Sequence, residues 1–326
     1  MRLRRTTVAA QATVQIATDH GWVNVPDVLH TLPHHQATLT RTDLLGLLSA
    51  PQDVRDALQQ AASTLPAATD GGQPLIPFQP ASYRDFMLYE RHVIDSSRGF
   101  AQRFMPGAYR VASRLEQATG KPFAAFRPKP LWYRQPIYYM GNHLAFIADG
   151  DVIHWPDYCT VLDYELELGF VLTAPLLNAT PEEAEAAIGG FVIFNDVSAR
   201  NVQKAEMDSG FGPQKAKHFC NVMGAEVVSA DEILPRWQNL TGEVRINGKT
   251  IAHVRSHGPQ FTLGEALAHV SREERLYPGE FFGTGTLPGG CGMENGTVLG
   301  RGDQLELELH GVGTVSNPVA PLGGQP

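Results

Sequence analysis

The chain of 326 residues is long enough for one large domain, or for a small domain and a larger one. Apolar residues make up 43% and charged residues 18%, as in globular proteins with a substantial core, and the net charge of −8 argues against sequence-independent nucleic-acid binding. Three cysteines without a Cys-x-x-Cys motif, no signal segment and no apolar run of the ~20 residues that cross a membrane favour a reduced, cytoplasmic protein without a membrane partner.

The first part of the chain has the pattern of a small β/α module. Residues 13–17 and 22–25 alternate apolar and polar side chains on either side of an Asp-His-Gly turn, which predicts a β-hairpin. Residues 42–48 and 51–58 predict two short helices. The proline- and glycine-rich residues 66–80 predict a linker. We therefore expect an N-terminal module over residues 1–70 and a larger domain over residues 71–326.

A possible helix opens the larger domain. Ser82-x-x-Asp85 has the form of a capping box and predicts a helix that continues through residues 86–94. Asp85 and His92 are seven residues apart and would share one face of this helix. Each of the two alone is more often a cap or an ordinary histidine than a functional residue.

Two glutamates interrupt an apolar run, residues 163–172, that has the character of a strand. Residues two apart point to the same face of a strand, so Glu165 and Glu167 would project side by side. Two close carboxylates repel each other unless a cation, a proton or an arginine lies between them. The pair is therefore either half of a divalent-metal site or an ordinary solvated strand face. Glu306 and Glu308, in a predicted edge strand near the end of the chain, have the same spacing and illustrate the second case.

A second carboxylate stands at the end of another predicted strand. Residues 188–195 form a buried-type apolar run, and Asp196 follows it just before a predicted helix, as a cap or as a site residue. Arg200 and Gln203 lie on one face of that helix, and a lysine-bearing loop follows. Further on, Asn247-Gly248 predicts a hairpin and residues 263–270 a short helix.

Taken in order, these residues resemble the fumarylacetoacetate hydrolase family over residues 81 to about 318. The elements that carry the resemblance are Asp85…His92, Glu165-x-Glu167, Asn195-Asp196-x-Ser198-Ala199-Arg200-x-x-Gln203, Lys217 and Gly283-Thr284-Gly285-Thr286. The resemblance implies an α+β, mainly β fold, in which a mixed β-roll catalytic domain follows a small SH3-like N-terminal domain.

The resemblance also implies a metal site. By position, its ligands are Asp85, Glu165, Glu167 and Asp196. Four carboxylates with water or substrate oxygens suit a hard cation, so Mg²⁺, Ca²⁺ or Mn²⁺ is the expected cofactor. No cysteine belongs to the set, which argues against structural zinc.

The closest subgroup is that of fumarylacetoacetases with a helix histidine, which implies that His92 is a general base held by a glutamate. Glu294 is our candidate for that glutamate, and Glu90 is the second choice. The other positions that match residues binding substrate oxygens or stabilising negative charge are Lys217, Gln203, Arg200, Tyr139 and Thr286. Met87 stands where fumarylacetoacetases have a tyrosine, and residues 218–221 also differ from the family pattern.

The implied activity is metal-dependent hydrolysis of a C–C bond in a β-diketo (2,4-dioxo) acid, such as fumarylacetoacetate, fumarylpyruvate or an acylpyruvate, as in aromatic catabolism. The alternative within the family is a 2-oxoacid decarboxylase, hydratase or isomerase that uses the same metal site. From another class, a non-catalytic oxoacid- or metal-binding protein is possible. We expect a small-molecule oxoacid as the substrate and, by analogy alone, a homodimer.

Overall fold

The structure, a computed structural model, describes residues 1–32, 43–69 and 72–322 and shows an α+β fold dominated by sheet. The strands are β1 (Arg2–Val8), β2 (Gln11–Thr18), β3 (Gly21–Asn24), β4 (Ser82–Phe86), β5 (Tyr138–Met140), β6 (Phe146–Ile147), β7 (Leu162–Asp163), β8 (Leu166–Leu172), β9 (Ile188–Asn195), β10 (Ser198–Ala199), β11 (Asn221–Met223), β12 (Glu226–Ser229), β13 (Thr241–Ile246), β14 (Lys249–Arg255), β15 (Glu280–Gly283), β16 (Gln304–Leu309) and β17 (Gly313–Pro318). The helices are α1 (Val25–Thr31), α2 (Leu44–Leu48), α3 (Gln52–Ala62), α4 (Glu90–Phe104), α5 (Pro106–Thr119), α6 (Pro181–Ala186), α7 (Arg200–Asp208), α8 (Ala230–Ile233), α9 (Leu263–Val270) and α10 (Gly292–Asn295), with 3-10 turns at Ala124–Phe126 and Leu234–Asn239. Within the described ranges, none of these helices has the length and apolar character that crossing a membrane requires.

The main sheet carries the predicted site residues. Its strand order is β3-β2-β1-β12-β9-β8-β15-β4-β5, and β11 and β6 continue it beside β9. Strands β8 and β9 lie in the interior, and every residue of both is buried, because their apolar runs are covered on both faces. Strand β15 lies between β8 and β4, antiparallel to the first and parallel to the second. This arrangement brings Glu167 on β8 close to Asp85 on β4.

The second large sheet has the order β14-β13-β16-β17. Its β13–β14 hairpin confirms the prediction from Asn247-Gly248, and both turn residues have positive φ, 51° and 75°. The prediction of an edge strand near the end of the chain was wrong, because β16 pairs with strands on both sides. Its Glu306 and Glu308 are partly buried and both contact Arg245 on β13.

The N-terminal strands continue the main sheet. Strands β2 and β3 form the predicted hairpin, and β1 pairs with β12 through residues 2–4 and 226–228. One apolar cluster contains Leu3 and Ile16 together with Val192 and Phe281 of the central strands. The division of the chain at residue 70 and the SH3-like character of its first part stay predictions.

The helix predicted to begin at Ser82 was misplaced. Residues Ser82–Phe86 form β4, and the helix α4 begins at Glu90. The Ser-x-x-Asp pattern does not start a helix here, because this segment pairs with β15 on one side and with β5 on the other. Strand pairing outweighs the local capping preference. Asp85 therefore does not share a helix face with His92.

Candidate active site

Three buried carboxylates, one on β4, one on β8 and one immediately after β9, meet at the main sheet. One oxygen from each of Asp85, Glu167 and Asp196 lies within 4.8 Å of the others. Their exposed fractions are 4%, 1% and 0%. We call these three residues the carboxylate triplet. It unites three of the four metal ligands predicted from the sequence.

The triplet depends on a position without a side chain. Gly283 on β15 lies opposite Asp85 of β4 and opposite Gly169 of β8. A Cβ atom at Gly283 would lie 2.3 Å from Asp85 Oδ1 and 2.7 Å from Glu167 Oε2, far closer than packed atoms approach. Glycine at this position leaves the space in which the two carboxylates converge.

Ionisation of all three carboxyl groups of the triplet is unfavourable in the metal-free protein. Burial raises the pKa of Asp85, Glu167 and Asp196, and for Glu167 the repulsion from the other two carboxylates raises it further. Asp85 Oδ1 is buried and has no hydrogen-bond partner among the described residues. A divalent cation would satisfy this oxygen and relieve the repulsion, so the donor set fits a hard metal ion.

Glu165 lies beside the triplet and is held by two cations. Its Oε1 accepts a hydrogen bond from Arg200 Nη2 at 2.6 Å, and its Oε2 accepts one from Lys217 Nζ. Burial would raise the pKa of Glu165, but the charges of Arg200 and Lys217 lower it overall. Lys217 also contacts Asp196, and this shared contact joins Glu165 to the triplet.

Three other predicted residues contact the carboxylates or Arg200. The hydroxyl of Tyr139 on β5 donates to Asp196 Oδ2 at 2.9 Å, and that of Thr286 donates to Glu167 Oε1 at 3.3 Å. Gln203 accepts a hydrogen bond from Arg200 Nη1 at 2.9 Å, one turn further along α7. Hydroxyl, amide and guanidinium groups thus surround the carboxylates.

The remaining two predicted residues form a pair of their own. His92 Nδ1 on α4 lies 2.7 Å from Glu294 Oε1 on α10, and the other oxygen of Glu294 accepts from Gly289 N at 2.8 Å. Glu90, the second choice, contacts the hydroxyl of Tyr133 instead. The side chains of His92 and Glu294 are 10% and 4% exposed, so the pair is largely shielded from water.

Asp163 joins the two groups, and the sequence reasoning did not identify it as a site residue. It is fully buried, and its carboxylate accepts hydrogen bonds from Arg200 Nε at 2.8 Å, Gly292 N at 2.8 Å and Met293 N at 3.2 Å. It therefore fixes the guanidinium beside Glu165 and, at the same time, the first turn of the helix that carries Glu294. The sequence feature that could have identified Asp163 is its spacing, because Asp163, Glu165 and Glu167 follow one another at intervals of two residues.

The chain has characterised relatives with more than one activity. It is 28% identical over 187 residues to the mitochondrial oxaloacetate tautomerase of Xenopus laevis, which is 57% of this chain and 58% of that protein. It is 29% identical over 188 residues to the 2,4-didehydro-3-deoxy-L-rhamnonate hydrolase of a Sphingomonas species, which is 57% of this chain and 65% of that protein. Both matches span less than two thirds of the relative's own length.

Solved structures of other proteins share this fold. A fumarylacetoacetate hydrolase from Exiguobacterium antarcticum superposes with a TM-score of 0.68 at 22% identity, over 98% of this chain and 99% of that one. The sequence profile of the fumarylacetoacetate (FAA) hydrolase C-terminal domain matches residues 111–320, more than half of the chain. The chain therefore belongs to the fumarylacetoacetate hydrolase family of enzymes.

Proposed function

We propose that this protein is a metal-dependent hydrolase that cleaves a C–C bond in a β-diketo (2,4-dioxo) acid such as an acylpyruvate, fumarylpyruvate or fumarylacetoacetate. The observation that carries the proposal is the His92–Glu294 pair, 2.7 Å between Nδ1 and Oε1, together with the buried carboxylate triplet. Hydrolysis needs a base that activates water as well as a group that polarises the substrate. The His92–Glu294 pair would supply the base, and the carboxylate triplet would hold the metal ion that polarises the substrate.

The carboxylates would hold the metal ion. We assign Asp85, Glu167 and Asp196 as ligands, with Glu165 as the fourth, and expect Mg²⁺, Ca²⁺ or Mn²⁺ because all donors are oxygens. Enzymes of this family commonly use a divalent metal ion. When bound, such an ion supplies Lewis-acid polarisation of the oxo groups of a 2,4-dioxo acid.

His92 would act as the general base. Because Nδ1 faces Glu294, Nε2 is the ring nitrogen that can take a proton from water. Glu294 is itself fixed by Gly289 N, so it can hold the imidazole ring and stabilise its protonated form. The hydroxide produced attacks the carbonyl carbon distal to the carboxylate of the substrate. His92 can then return the proton to the carbon that leaves.

Lys217 and Gln203 would stabilise the negative charge that develops on the attacked oxygen, and one such donor is worth ~3 kcal/mol in other enzymes. Arg200, Tyr139 and Thr286 would bind and orient the substrate oxygens. Support for these roles comes from their positions, since each contacts a carboxylate of the group or Arg200. Lys217 keeps its positive charge, because the neighbouring carboxylates raise its pKa more than burial lowers it.

A 2-oxoacid tautomerase or decarboxylase is the second candidate. The identity with the Xenopus laevis oxaloacetate tautomerase supports it, and it would use the same carboxylates. The His92–Glu294 pair argues against a non-catalytic binding protein, because binding alone requires no base. Its resemblance to the pair in fumarylacetoacetases favours hydrolysis over the tautomerase or decarboxylase. We also propose, by analogy with the family, that the protein is a homodimer, which light scattering in solution tests.

The experiment compares the wild type with His92→Asn in the presence of Mg²⁺. Both are assayed on acylpyruvates, fumarylpyruvate and oxaloacetate, and Mg²⁺ binding is measured by calorimetry. We expect the wild type to hydrolyse one or more of the dioxo acids, and His92→Asn to lose about 10²–10⁴-fold in kcat while it binds Mg²⁺ normally.

The exposed His257 provides the matched control, since His257→Asn should leave both activity and metal binding unchanged. Undiminished hydrolysis by His92→Asn would exclude His92 as the base. Turnover of oxaloacetate alone, equal in both proteins, would favour the tautomerase or decarboxylase.

A further inference from the structure

We propose that His92, Cys291 and Glu294 form a second cation site, separate from the carboxylate triplet, that takes Zn²⁺ or another borderline-soft cation. A ring nitrogen of His92, the sulfur of Cys291 and a carboxylate oxygen of Glu294 all lie within 4.8 Å of one another. We call these residues the His-Cys-Glu site. Its donors come from α4 and from the segment around α10.

The donor chemistry separates this site from the triplet. Zinc is bound by nitrogen and sulfur at about 2.0–2.3 Å in a tetrahedral arrangement, so its ligand atoms lie roughly 3.3–3.8 Å apart. His92 Nδ1 and Glu294 Oε1 are 2.7 Å apart, so zinc binding would require these side chains to rotate apart to that spacing. Soft thiolate ligands select zinc-like cations, whereas all-oxygen sites suit Mg²⁺, Ca²⁺ and Mn²⁺. The His-Cys-Glu site would thus bind zinc-like cations, and the carboxylate triplet would bind Mg²⁺, Ca²⁺ or Mn²⁺.

The backbone around the His-Cys-Glu site is held firmly. A Cβ atom at Gly99 on α4 would lie 1.6 Å from Met293 O, so the two helices touch backbone to backbone. Cys291 forms a β-bridge with Glu165, and Glu294 Oε2 accepts from Gly289 N. Ligands that are fixed in this way, with a second hydrogen bond on the carboxylate, are typical of metal sites.

A cavity borders the His-Cys-Glu site at Glu294. It has a volume of about 470 Å³ and is lined by Glu294 and its neighbours Gly292 and Met293 on one side and by Arg98 and Tyr109 on the other. His92 and Cys291 do not line it, so a cation would reach them past Glu294. Water on the Glu294 side would complete the tetrahedron as the fourth ligand. Binding would release the thiol proton of Cys291 to solvent, since the thiolate is the form that binds a metal.

Occupation of the site has a functional consequence that rests on the proposed function. A cation between His92 and Glu294 would replace their hydrogen bond and use a lone pair of the imidazole. The base would then no longer be available, so Zn²⁺ would inhibit hydrolysis even when Mg²⁺ fills the carboxylate cluster. Binding itself can be tested without any assay of turnover.

The binding test uses Co²⁺ as a spectroscopic substitute for Zn²⁺ on the full-length, metal-free protein. Ligation of Co²⁺ by a thiolate produces an intense charge-transfer absorption in the near ultraviolet. We expect this band in the wild type and its disappearance on addition of one equivalent of Zn²⁺. In Cys291→Ser the band should be absent, and in Glu294→Gln Co²⁺ affinity should fall about tenfold or more.

Two further variants act as controls. Cys159→Ser removes another buried cysteine, and Glu167→Gln disables the carboxylate triplet; both should keep the band. Circular dichroism and the melting temperature establish that each variant is folded. A band that persists in Cys291→Ser, that is lost in Glu167→Gln, or that is absent from the wild type would overturn the proposed site.

The inhibition test distinguishes this proposal from the proposed function. In Mg²⁺-loaded enzyme, Cys291→Ser should raise the Zn²⁺ concentration for half-inhibition about tenfold or more relative to Cys159→Ser. Equal sensitivity of the two variants would exclude inhibition through this site. Absence of hydrolysis in the wild type would instead contradict the proposed function, while the Co²⁺ spectra would still decide whether the site binds.

Discussion

At the scale of single residues, the absence of a side chain at Gly283 determines how closely Asp85 and Glu167 approach. A methyl group there would meet both carboxylates at less than 3 Å, and β15 cannot retreat because it pairs with a strand on each side. The position therefore controls the geometry of the triplet without contributing a ligand.

We expect Gly283→Ala to lower Mg²⁺ affinity about tenfold or more, because the added methyl group separates the carboxylates. The free energy of unfolding should fall by about 1–3 kcal/mol from overpacking. Isothermal calorimetry and urea unfolding measure the two effects. Gly313→Ala, in strand β17 with its nearest neighbours at 3.9 Å, is the matched control and should leave Mg²⁺ binding unchanged. Equal affinities in the two variants would contradict this account of Gly283.

The raised pKa values of the triplet predict that metal binding strengthens with pH. Free carboxyl groups of these types titrate near 3.8 and 4.5, but burial raises the pKa in the folded protein. Above pH ~4.5 the metal-free folded state thus keeps protons that the unfolded state releases, so this part of its stability falls as pH rises. Mg²⁺ must displace those protons, and its affinity should increase from about pH 5 to pH 8.

Calorimetry in buffers of different ionisation enthalpy counts the protons that Mg²⁺ releases, and the melting temperature with and without Mg²⁺ gives the stabilisation. We expect proton release and a larger stabilisation at the higher pH. A Mg²⁺ affinity that does not change with pH would show that the carboxylates are already ionised in the metal-free protein.

Individual residues show which features of the candidate site could be predicted from the sequence. Period-two spacing places Glu165 and Glu167 on one face, and the structure agrees that both side chains are directed into the same buried group. The spacing cannot show that Arg200 and Lys217 neutralise Glu165, since these residues are 35 and 52 positions away. For the same reason Glu294 could be proposed for His92 only through the family resemblance, because 202 residues separate them.

At the scale of elements, the contact between α4 and α10 positions His92, the proposed base. His92 lies on the first helix and Glu294 on the second, and Gly99 lets the two backbones touch. With four residues, α10 is too short to be a stable helix on its own, so this packing and the hydrogen bonds that Gly292 N and Met293 N donate to Asp163 hold the turn in place.

We expect Gly99→Ala to reduce kcat by about 10²-fold, because the new Cβ would displace α10 and misplace Glu294 relative to His92. Mg²⁺ affinity should change little, since the triplet lies on other elements. Steady-state kinetics with calorimetry measures both. Gly107→Ala on α5, where no atom lies within 4 Å, should leave kcat unchanged and stabilise the protein by up to about 1 kcal/mol. Loss of Mg²⁺ binding in Gly99→Ala would refute this division of roles.

Local sequence patterns predicted elements well where no long-range pairing opposed them. The helix over residues 263–270 is confirmed with its predicted bounds, and the hairpin at Asn247-Gly248 is confirmed at its turn, since capping and turn geometry decide them locally. The segment at Ser82 was mispredicted because its partner strand β15 lies some 200 residues later in the chain. Contacts of that range leave no trace in a local pattern.

At the scale of the whole molecule, the N-terminal strands and the strands of the site share one sheet and one apolar cluster. Leu3 on β1 is fully buried in that cluster, together with Val192 of β9 and Phe281 of β15. A change in the first strand should therefore affect the stability of the part that carries the candidate active site.

We expect Leu3→Ala to lower the free energy of unfolding by about 2–5 kcal/mol through the cavity that it creates. Urea unfolding should stay a single transition, with the same midpoint by tryptophan fluorescence and by far-ultraviolet circular dichroism. Leu177→Ala, at a side chain that is 45% exposed, is the control and should change stability little. Two separated transitions would instead support an independently folding N-terminal domain.

Asp163 bears on how this enzyme could diversify. One carboxylate holds both the guanidinium beside Glu165 and the turn that carries Glu294, so a change that shifts one group also shifts the other. Mutations that adapt the protein to a new substrate should therefore be tolerated poorly at Asp163 and the groups that it holds. They should be tolerated better elsewhere, for example at the exposed Met87. Laboratory evolution toward longer acyl chains would be expected to accumulate substitutions at the periphery and to retain Asp163.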